Sequence, residues 1–242
     1  MVCVAVAPIH LRPTAELAER ALLPGDPGRA LALAQALLAQ PRMFNHHRGL
    51  WGYTGTAADG EPLTVQSTGM GGPSAAIVLE ELAMLGLRRA VRVGTCGALS
   101  AELALGDLVI ATEAVTHDGS SRALGSGARV LADAALLAAL TGAARDSLHR
   151  RPVHHGPIVT TDLFYDPRVD QHQRWSSEGA LAVEMEAAAL FAVGRRRGVA
   201  IGCLLTVSDV FTRDGQRSRI DDDPLLQAAE AMGALAVAAL RA

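Results

Sequence analysis

Two carboxylates open an apolar, alanine-rich run at Val183-Glu184-Met185-Glu186-Ala187-Ala188-Ala189-Leu190-Phe191. Charges in such surroundings need partners, and in the first turn of a helix both would favour the positive end of its dipole. Two apart on a helix they point in different directions, so at most one is expected to face a given ligand. A cation stands elsewhere, at Arg92 in Ala90-Val91-Arg92-Val93-Gly94-Thr95-Cys96-Gly97-Ala98. Set between two valines in a buried strand, its guanidinium needs an anion. A protein carboxylate would serve, but Gly94 and Gly97 clear space beside it and Thr95 offers a hydroxyl and an N–H. Together these favour a bound oxyanion such as phosphate over an internal salt bridge. A third group, Ser208-Asp209, ends the apolar run Val199 to Val207. An acid at the carboxyl end of a buried strand sits where open α/β sheets bind ligands, and burial is expected to raise its pKa so that it holds a proton to give away.

The elements that must position these groups alternate between strand and helix. Ala21-Leu22-Leu23 reads as a strand that turns at Pro24-Gly25-Asp26-Pro27-Gly28-Arg29-Ala30 into a helix through Leu31, Leu33, Ala34, Leu37 and Leu38. Asp26 can cap that helix with Pro27 in its first position, while Gly25 lets backbone N–H groups approach a ligand and Arg29 reaches the same end. A plain capped helix also needs Asp26 and Pro27, so an anion site is one of two readings here. Leu50 to Thr56 and Leu63 to Thr68 read as a hairpin about Ala58-Asp59-Gly60-Glu61, with the cationic cluster His46-His47-Arg48 before it. Gly69-Met70-Gly71-Gly72-Pro73-Ser74 repeats the strand, glycine turn and helix, the helix running from Ala75 to Leu85. Gly106 to Thr112 is a further strand, Thr116 to Gly127 a polar mobile loop, and Ala128 to Leu148 one amphipathic helix. Val153 to Thr161 is a strand leading to Phe164 and Tyr165, which either stack on a flat ligand or pack in the core. Gly179 to Val183 is a short strand, Met185 to Arg197 a helix, and Leu225 to Leu240 the last helix, after Asp221-Asp222-Asp223 and Pro224.

Composition bounds the function. The chain has 242 residues, half of them apolar, which fits one α/β domain over residues 1–242 with an ample core. A net charge of −3 and only two Trp, two Tyr and four Phe argue against a nucleic-acid binder. All 22 basic residues are Arg, which excludes a lysine Schiff base or a lysine phosphate loop and leaves Arg to bind anions. Cys3, Cys96 and Cys203 show no metal-ligand pattern, and with no export signal or membrane span in view, a reducing cytoplasmic setting is expected.

In this order the motifs Pro24-Gly25-Asp26-Pro27, Gly69-Met70-Gly71, Arg92-Val93-Gly94-Thr95-Cys96-Gly97, Val183-Glu184-Met185-Glu186-Ala187-Ala188 and Ser208-Asp209 resemble the nucleoside phosphorylase superfamily of the hexameric, small-subunit type, from about His10 to the final helix. The resemblance implies a central mixed, twisted sheet flanked by helices. It implies phosphate bound by Gly25, Arg29, Arg92 and Thr95, with Arg48 reaching in from a neighbouring subunit. Glu186 would hold the ribose hydroxyls beside Glu184, with Met70 and Met185 against the sugar, Phe164 and Ser208 near the nucleoside, and His10 crossing from the partner subunit toward the 5′ end. Arg92 and Asp209 would be the catalytic pair, Asp209 serving N7 of a purine. Inorganic phosphate is the co-substrate; no metal or other cofactor is implied, and the assembly would be a homo-oligomer, a hexamer built as a trimer of dimers.

One departure stands out. Purine enzymes of this type carry an arginine about a dozen residues past the aspartate, a position that falls here within Asp221-Asp222-Asp223, leaving Arg217 or Arg219 as substitutes. The uridine branch uses a Gln and an Arg after the Phe-Tyr pair, for which Gln171, Gln173 and Arg174 lie nearby. Purine phosphorolysis is the first reading. Uridine phosphorolysis, a nucleosidase using water on methylthioadenosine or adenosylhomocysteine, and a nucleoside-binding module are the alternatives.

Overall fold

A computed structural model describes residues 7–146, 151–168, 170–211 and 217–241. Strand β1 (Arg20–Leu23) is buried along its length and turns through Pro24-Gly25 into helix α1 (Pro27–Leu37). As expected, Asp26 caps α1, its side chain accepting the Arg29 N–H at 2.7 Å. The helix stops one residue short of the expected pattern, because Leu38 is already extended and opens β2 (Leu38–Asn45). Apolar spacing concealed this strand. Pro41, barred from a helix interior, was its only signal, and β2 tolerates it by lying at the edge of the sheet.

A short 3-10 turn at His47–Gly49 leads to the expected hairpin, β3 (Gly52–Ala57) and β4 (Pro62–Gln66). Helix α2 (Gly72–Met84) and strand β5 (Arg89–Ala98) follow, then β6 (Leu108–His117). The stretch expected to be a mobile loop is ordered: β6 continues to His117, and Asp118 caps the short helix α3 (Gly119–Ala123) by accepting the Ser121 N–H. The long helix expected from Ala128 is also divided. Its start pairs with β6 as β7 (Arg129–Leu131), and α4 (Ala134–Asp146) begins where Asp133 accepts the Leu136 N–H; Leu148 lies outside the described residues. Beyond it come β8 (Val153–Thr161), α5 (Gln171–Ser177), β9 (Ala182–Glu184), α6 (Ala187–Arg197), β10 (Ala200–Phe211), β11 (Arg217–Arg219) and α7 (Asp222–Ala239).

The strands form one mixed sheet in the order β11-β10-β6-β8-β9-β5-β1-β4-β3-β2, with β7 on β6. Because β5 also pairs with β10, the strands β10, β6, β8, β9 and β5 close into a ring. Strands β1, β4, β5 and β10 run parallel, so their carboxyl ends meet on one side. Helices α2 and α6 pack into one core through Val78, Leu79, Leu82, Ala187 and Leu190. Helices α1, α4 and α7 pack into a second through Leu33, Leu140, Met232 and Leu235. The alanines of α6 are wholly buried, letting that helix lie close to its neighbours and fixing the chain just before it, where Glu184 and Glu186 sit.

Candidate active site

The carboxyl ends of the parallel strands surround a cavity of about 630 Å³. Every residue that the resemblance assigns to phosphate, nucleoside or catalysis lines it except His10. A larger open cleft of about 1440 Å³, around Arg20 and Asp59, contains none of them.

At one end the two glycine turns touch, the Gly69 N–H donating to the Gly25 carbonyl at 3.0 Å. A Cβ on Gly25 would lie 3.3 Å from the Gly69 oxygen, and Gly69 itself has φ +73°, so the close approach depends on glycine. Arg29 faces this end from the first turn of α1, and no hydrogen bond reaches its guanidinium among the described residues. Burial lowers its pKa; Asp26 and Glu186 work the other way, and the charges of Arg92 and Arg219 lower it further. A cluster of cations is thus held together where an oxyanion would be stabilised. Thr95 and Gly94 line the same end from β5. Arg48, in the 3-10 turn with φ 59°, lines the cavity of its own chain, whereas the resemblance places it in a neighbour's site.

Arg92 differs from the expectation most. Its Nε donates to Glu184 Oε2 at 2.8 Å and its Nη2 lies 2.5 Å from Glu186 Oε2, all three side chains being buried. The internal salt bridge is therefore present, and both carboxylates face the same cation. The expectation that at most one would face a given ligand assumed both lay on a helix; Glu184 instead ends β9, Glu186 is the residue before α6, and both line the cavity. Burial opposes the Arg92 charge, but Glu186 and Glu184 outweigh it and hold its pKa above the ordinary value. Burial pushes Glu184 up against the pull of Arg92. Glu184 is further tied to the Thr160 hydroxyl and to the N–H groups of Glu186 and Ala187, so it serves the helix dipole as expected. Among the described residues Glu186 accepts one backbone donor, Gly71 N–H at 2.5 Å, beside Met70 and Met185. The Arg92 Nη1 atom is buried and makes no hydrogen bond among the described residues. That leaves the two N–H donors of Nη1 for a ligand.

At the other end stands Asp209. A register shift between β10 and β5 at Val207/Asp209 aims it and Ser208 inward. Arg217 Nε donates to Asp209 Oδ1 at 2.8 Å, Arg219 Nη1 lies 3.2 Å from the same atom, and the Ser208 hydroxyl donates to Oδ2 at 2.6 Å. Burial does push its pKa upward, as expected, but the hydrogen bonds from Arg217 and Ser208 and the two arginine charges prevail and hold it below the ordinary carboxylate value. The expectation of a stored proton is therefore corrected: in the ligand-free protein Asp209 is a carboxylate at neutral pH. Both candidate substitutes for the displaced arginine reach it. Phe164 is half exposed under the Arg217 guanidinium, 4.3 Å from its ring centroid, and Tyr165 is exposed, so neither packs in the core.

His10 lies outside this cavity. Its Nδ1 is 2.7 Å from Glu81 Oε1 on α2, and the same buried carboxylate accepts the N–H groups of Ile9, His10 and Leu11.

A family model described as the phosphorylase superfamily matches residues 19–241. The chain belongs to this superfamily. It is 38% identical over 218 residues to the guanosine phosphorylase of Halorubrum lacusprofundi, covering 88% of this chain and 87% of that protein. It is 39% identical over 204 residues to the DeoD-type purine nucleoside phosphorylase of Alkaliphilus metalliredigens, covering 83% and 86%. Among solved structures, the uridine phosphorylase of Vibrio fischeri ES114 superposes with a TM-score of 0.85 at 25% identity, covering 100% of this chain and 99% of that one.

In this phosphorylase-superfamily chain, reading the sequence missed α5 and what it brings to the cavity. His172 and Trp175 line it, together with Phe211 from β10. Their three-residue spacing on one helix face was the available signal. Gln171, Gln173 and Arg174, weighed as contacts for a uracil, are not among the lining residues. Among the described residues no cluster of His, Cys, Asp and Glu could hold a metal ion, and no helix there is long and apolar enough to cross a membrane. Cys96 and Cys203 are buried and unpaired; Cys3 lies outside the described residues.

Proposed function

We propose that this chain cleaves the N-glycosidic bond of purine nucleosides with inorganic phosphate, releasing the free base and (deoxy)ribose 1-phosphate in nucleoside salvage without a further cofactor. The observation that carries this reading is a single cavity with Arg29 and Arg92 at one end and Asp209 clamped by Arg217 and Arg219 at the other. The names of the guanosine and purine nucleoside phosphorylases to which the chain is similar support the same substrate class.

Bond cleavage makes the sugar cation-like and the base anion-like, so the site must stabilise both ends. A phosphate held by Gly25, Arg29, Arg48, Arg92 and Thr95 attacks C1′ while the electrons of the C1′–N9 bond pass to the base. Glu186 accepts the ribose hydroxyls between Met70 and Met185, with Glu184 holding the turn in place. Arg217 and Arg219 face the charge that grows on the base. Asp209, aided by Ser208, passes a proton to N7 once the bound base has drawn an arginine off its carboxylate and a solvent proton has taken that arginine's place. Phe164 flanks the base.

The protein acts as a homo-oligomer in the cytoplasm, by resemblance a hexamer, with His10 completing a neighbour's sugar site. That role suits a side chain fixed by Glu81 yet absent from its own cavity. One assay tests the reaction: inosine, adenosine, uridine and methylthioadenosine, each with and without phosphate, read as free base and sugar 1-phosphate. Purine released only with phosphate is expected. Base released without phosphate, faster turnover of uridine than of any purine, or binding without release would each overturn the reading.

A further inference from the structure

Helix α5 holds two polar groups that the reaction described above does not use. The His172 ring packs on Phe211 at 4.4 Å between centroids and beside Trp175 at 5.7 Å, and it lines the cavity. Neither of its ring nitrogens makes a hydrogen bond among the described residues. The indole Nε1 of Trp175 is buried and also lacks a partner there. A buried donor left unpaired costs about 1–3 kcal/mol, and native proteins seldom leave such a group without a use. Two open hydrogen-bonding groups thus sit together in one aromatic corner.

The position of that corner follows from β10. Asp209 and Phe211 are two residues apart on this strand, so they share a face, and Phe211 carries His172. Arg217, which clamps Asp209, lies over Phe164 and near enough to His172 for its charge to act there. In a purine, the substituent at position six is next to N7, the atom assigned to Asp209. We propose that His172 is a specificity-determining residue that hydrogen-bonds the six-position substituent of the purine, with Trp175 fixing the imidazole in place. This rests on the purine reading given above.

The chemistry suits both common purine types. Burial lowers the pKa of His172, Asp166 opposes this and Arg217 adds to it, so the ring is neutral at pH 7 with one N–H and one bare nitrogen. A neutral imidazole donates to a six-oxo group in one orientation and accepts from a six-amino group in the other. An aromatic hydrocarbon at this position would offer stacking alone.

The test compares the native protein with His172→Phe and His172→Gln on inosine, adenosine and purine riboside, which has no six-position substituent. In His172→Phe, kcat/KM is expected to fall about three- to tenfold for inosine and adenosine and to change less than twofold for purine riboside, with the KM for phosphate unaltered. His172→Gln, which can donate and accept, restores part of the loss. An equal fall for all three nucleosides, or no fall for any, overturns the proposal and leaves His172 a packing residue. If the native protein turns over none of the three, the purine reading itself fails, a result distinguishable from either.

Discussion

Removing the Arg92 guanidinium separates the contact that the structure shows, holding the carboxylates, from the one proposed for it, holding phosphate. In Arg92→Ala, Glu184 and Glu186 remain buried without their shared cation. Breaking a buried pair costs about 3–5 kcal/mol. The lower figure applies, because Glu184 keeps the Thr160 hydroxyl and the N–H groups of Glu186 and Ala187, and Glu186 keeps Gly71 N–H. For a chain of this size about 3 kcal/mol lowers Tm by roughly 6–12 °C. Losing a charge-assisted contact to a bound anion costs a further 2–3 kcal/mol or so, about a 30- to 150-fold rise in the KM for phosphate. Glu186 loses one of two anchors, so the KM for inosine is expected to rise only about fivefold. Initial rates with each substrate varied at saturation of the other, and thermal unfolding with and without phosphate, read both effects. If the two KM values rise alike while Tm falls, Arg92 serves the fold alone and its assignment to phosphate is refuted.

Asp209→Asn is expected to lower kcat for inosine by about 10²–10³ while sparing 7-methylated purine nucleosides, whose base leaves without a proton at N7; steady-state rates on both decide this. Gly94→Ala would put a Cβ 2.7 Å from Arg92 Nη2 and 2.8 Å from its Cζ, so the guanidinium must move. A rise in the KM for phosphate that exceeds the rise for nucleoside, without a change of charge, is the expected kinetic result. Away from the site, the hydrogen bond from Arg20 holds the Asp59 pKa below its ordinary value despite burial, helped by the Glu61 N–H. The stability it contributes is present above the ordinary carboxylate value of about 4 and is lost as pH falls through the lowered one. Asp59→Asn is therefore expected to cost about 2–3 kcal/mol at pH 7 and to flatten the acid side of a Tm-against-pH curve, and an unchanged curve would count against this ion pair.

Local chemistry was legible wherever glycine, proline and charge coincide. The turns at Pro24 to Pro27 and Gly69 to Ser74, the buried Arg92 and the end of β10 all announce themselves by residues whose backbone or charge admits few settings. What stayed hidden depended on contacts between distant segments. That Glu184 and Glu186 share Arg92 follows from β9 pairing with β5, and no local spacing reports such a pairing. The ionised state of Asp209 required β11 to bring Arg217 and Arg219 alongside it. Alanine-rich stretches misled in a different way: Ala fits helix so readily that β7 was absorbed into α4.

The closure of the strands into a ring gives the two ends of the cavity unequal support. Strand β5, which carries Arg92 and Thr95, is hydrogen-bonded to β1, β10 and β9 at once, so displacing it would break three ladders. The other end adds to β10 a seven-residue helix, α5, and a three-residue strand, β11, which pairs with β10 alone among the described residues. Substitutions at their exposed positions disturb little else, whereas Trp175 of α5 is buried in a small core with Val115 and Val159. On the proposed reading such a scaffold would keep one co-substrate while its preference among bases changes, and the chain is similar to guanosine, purine nucleoside and uridine phosphorylases alike.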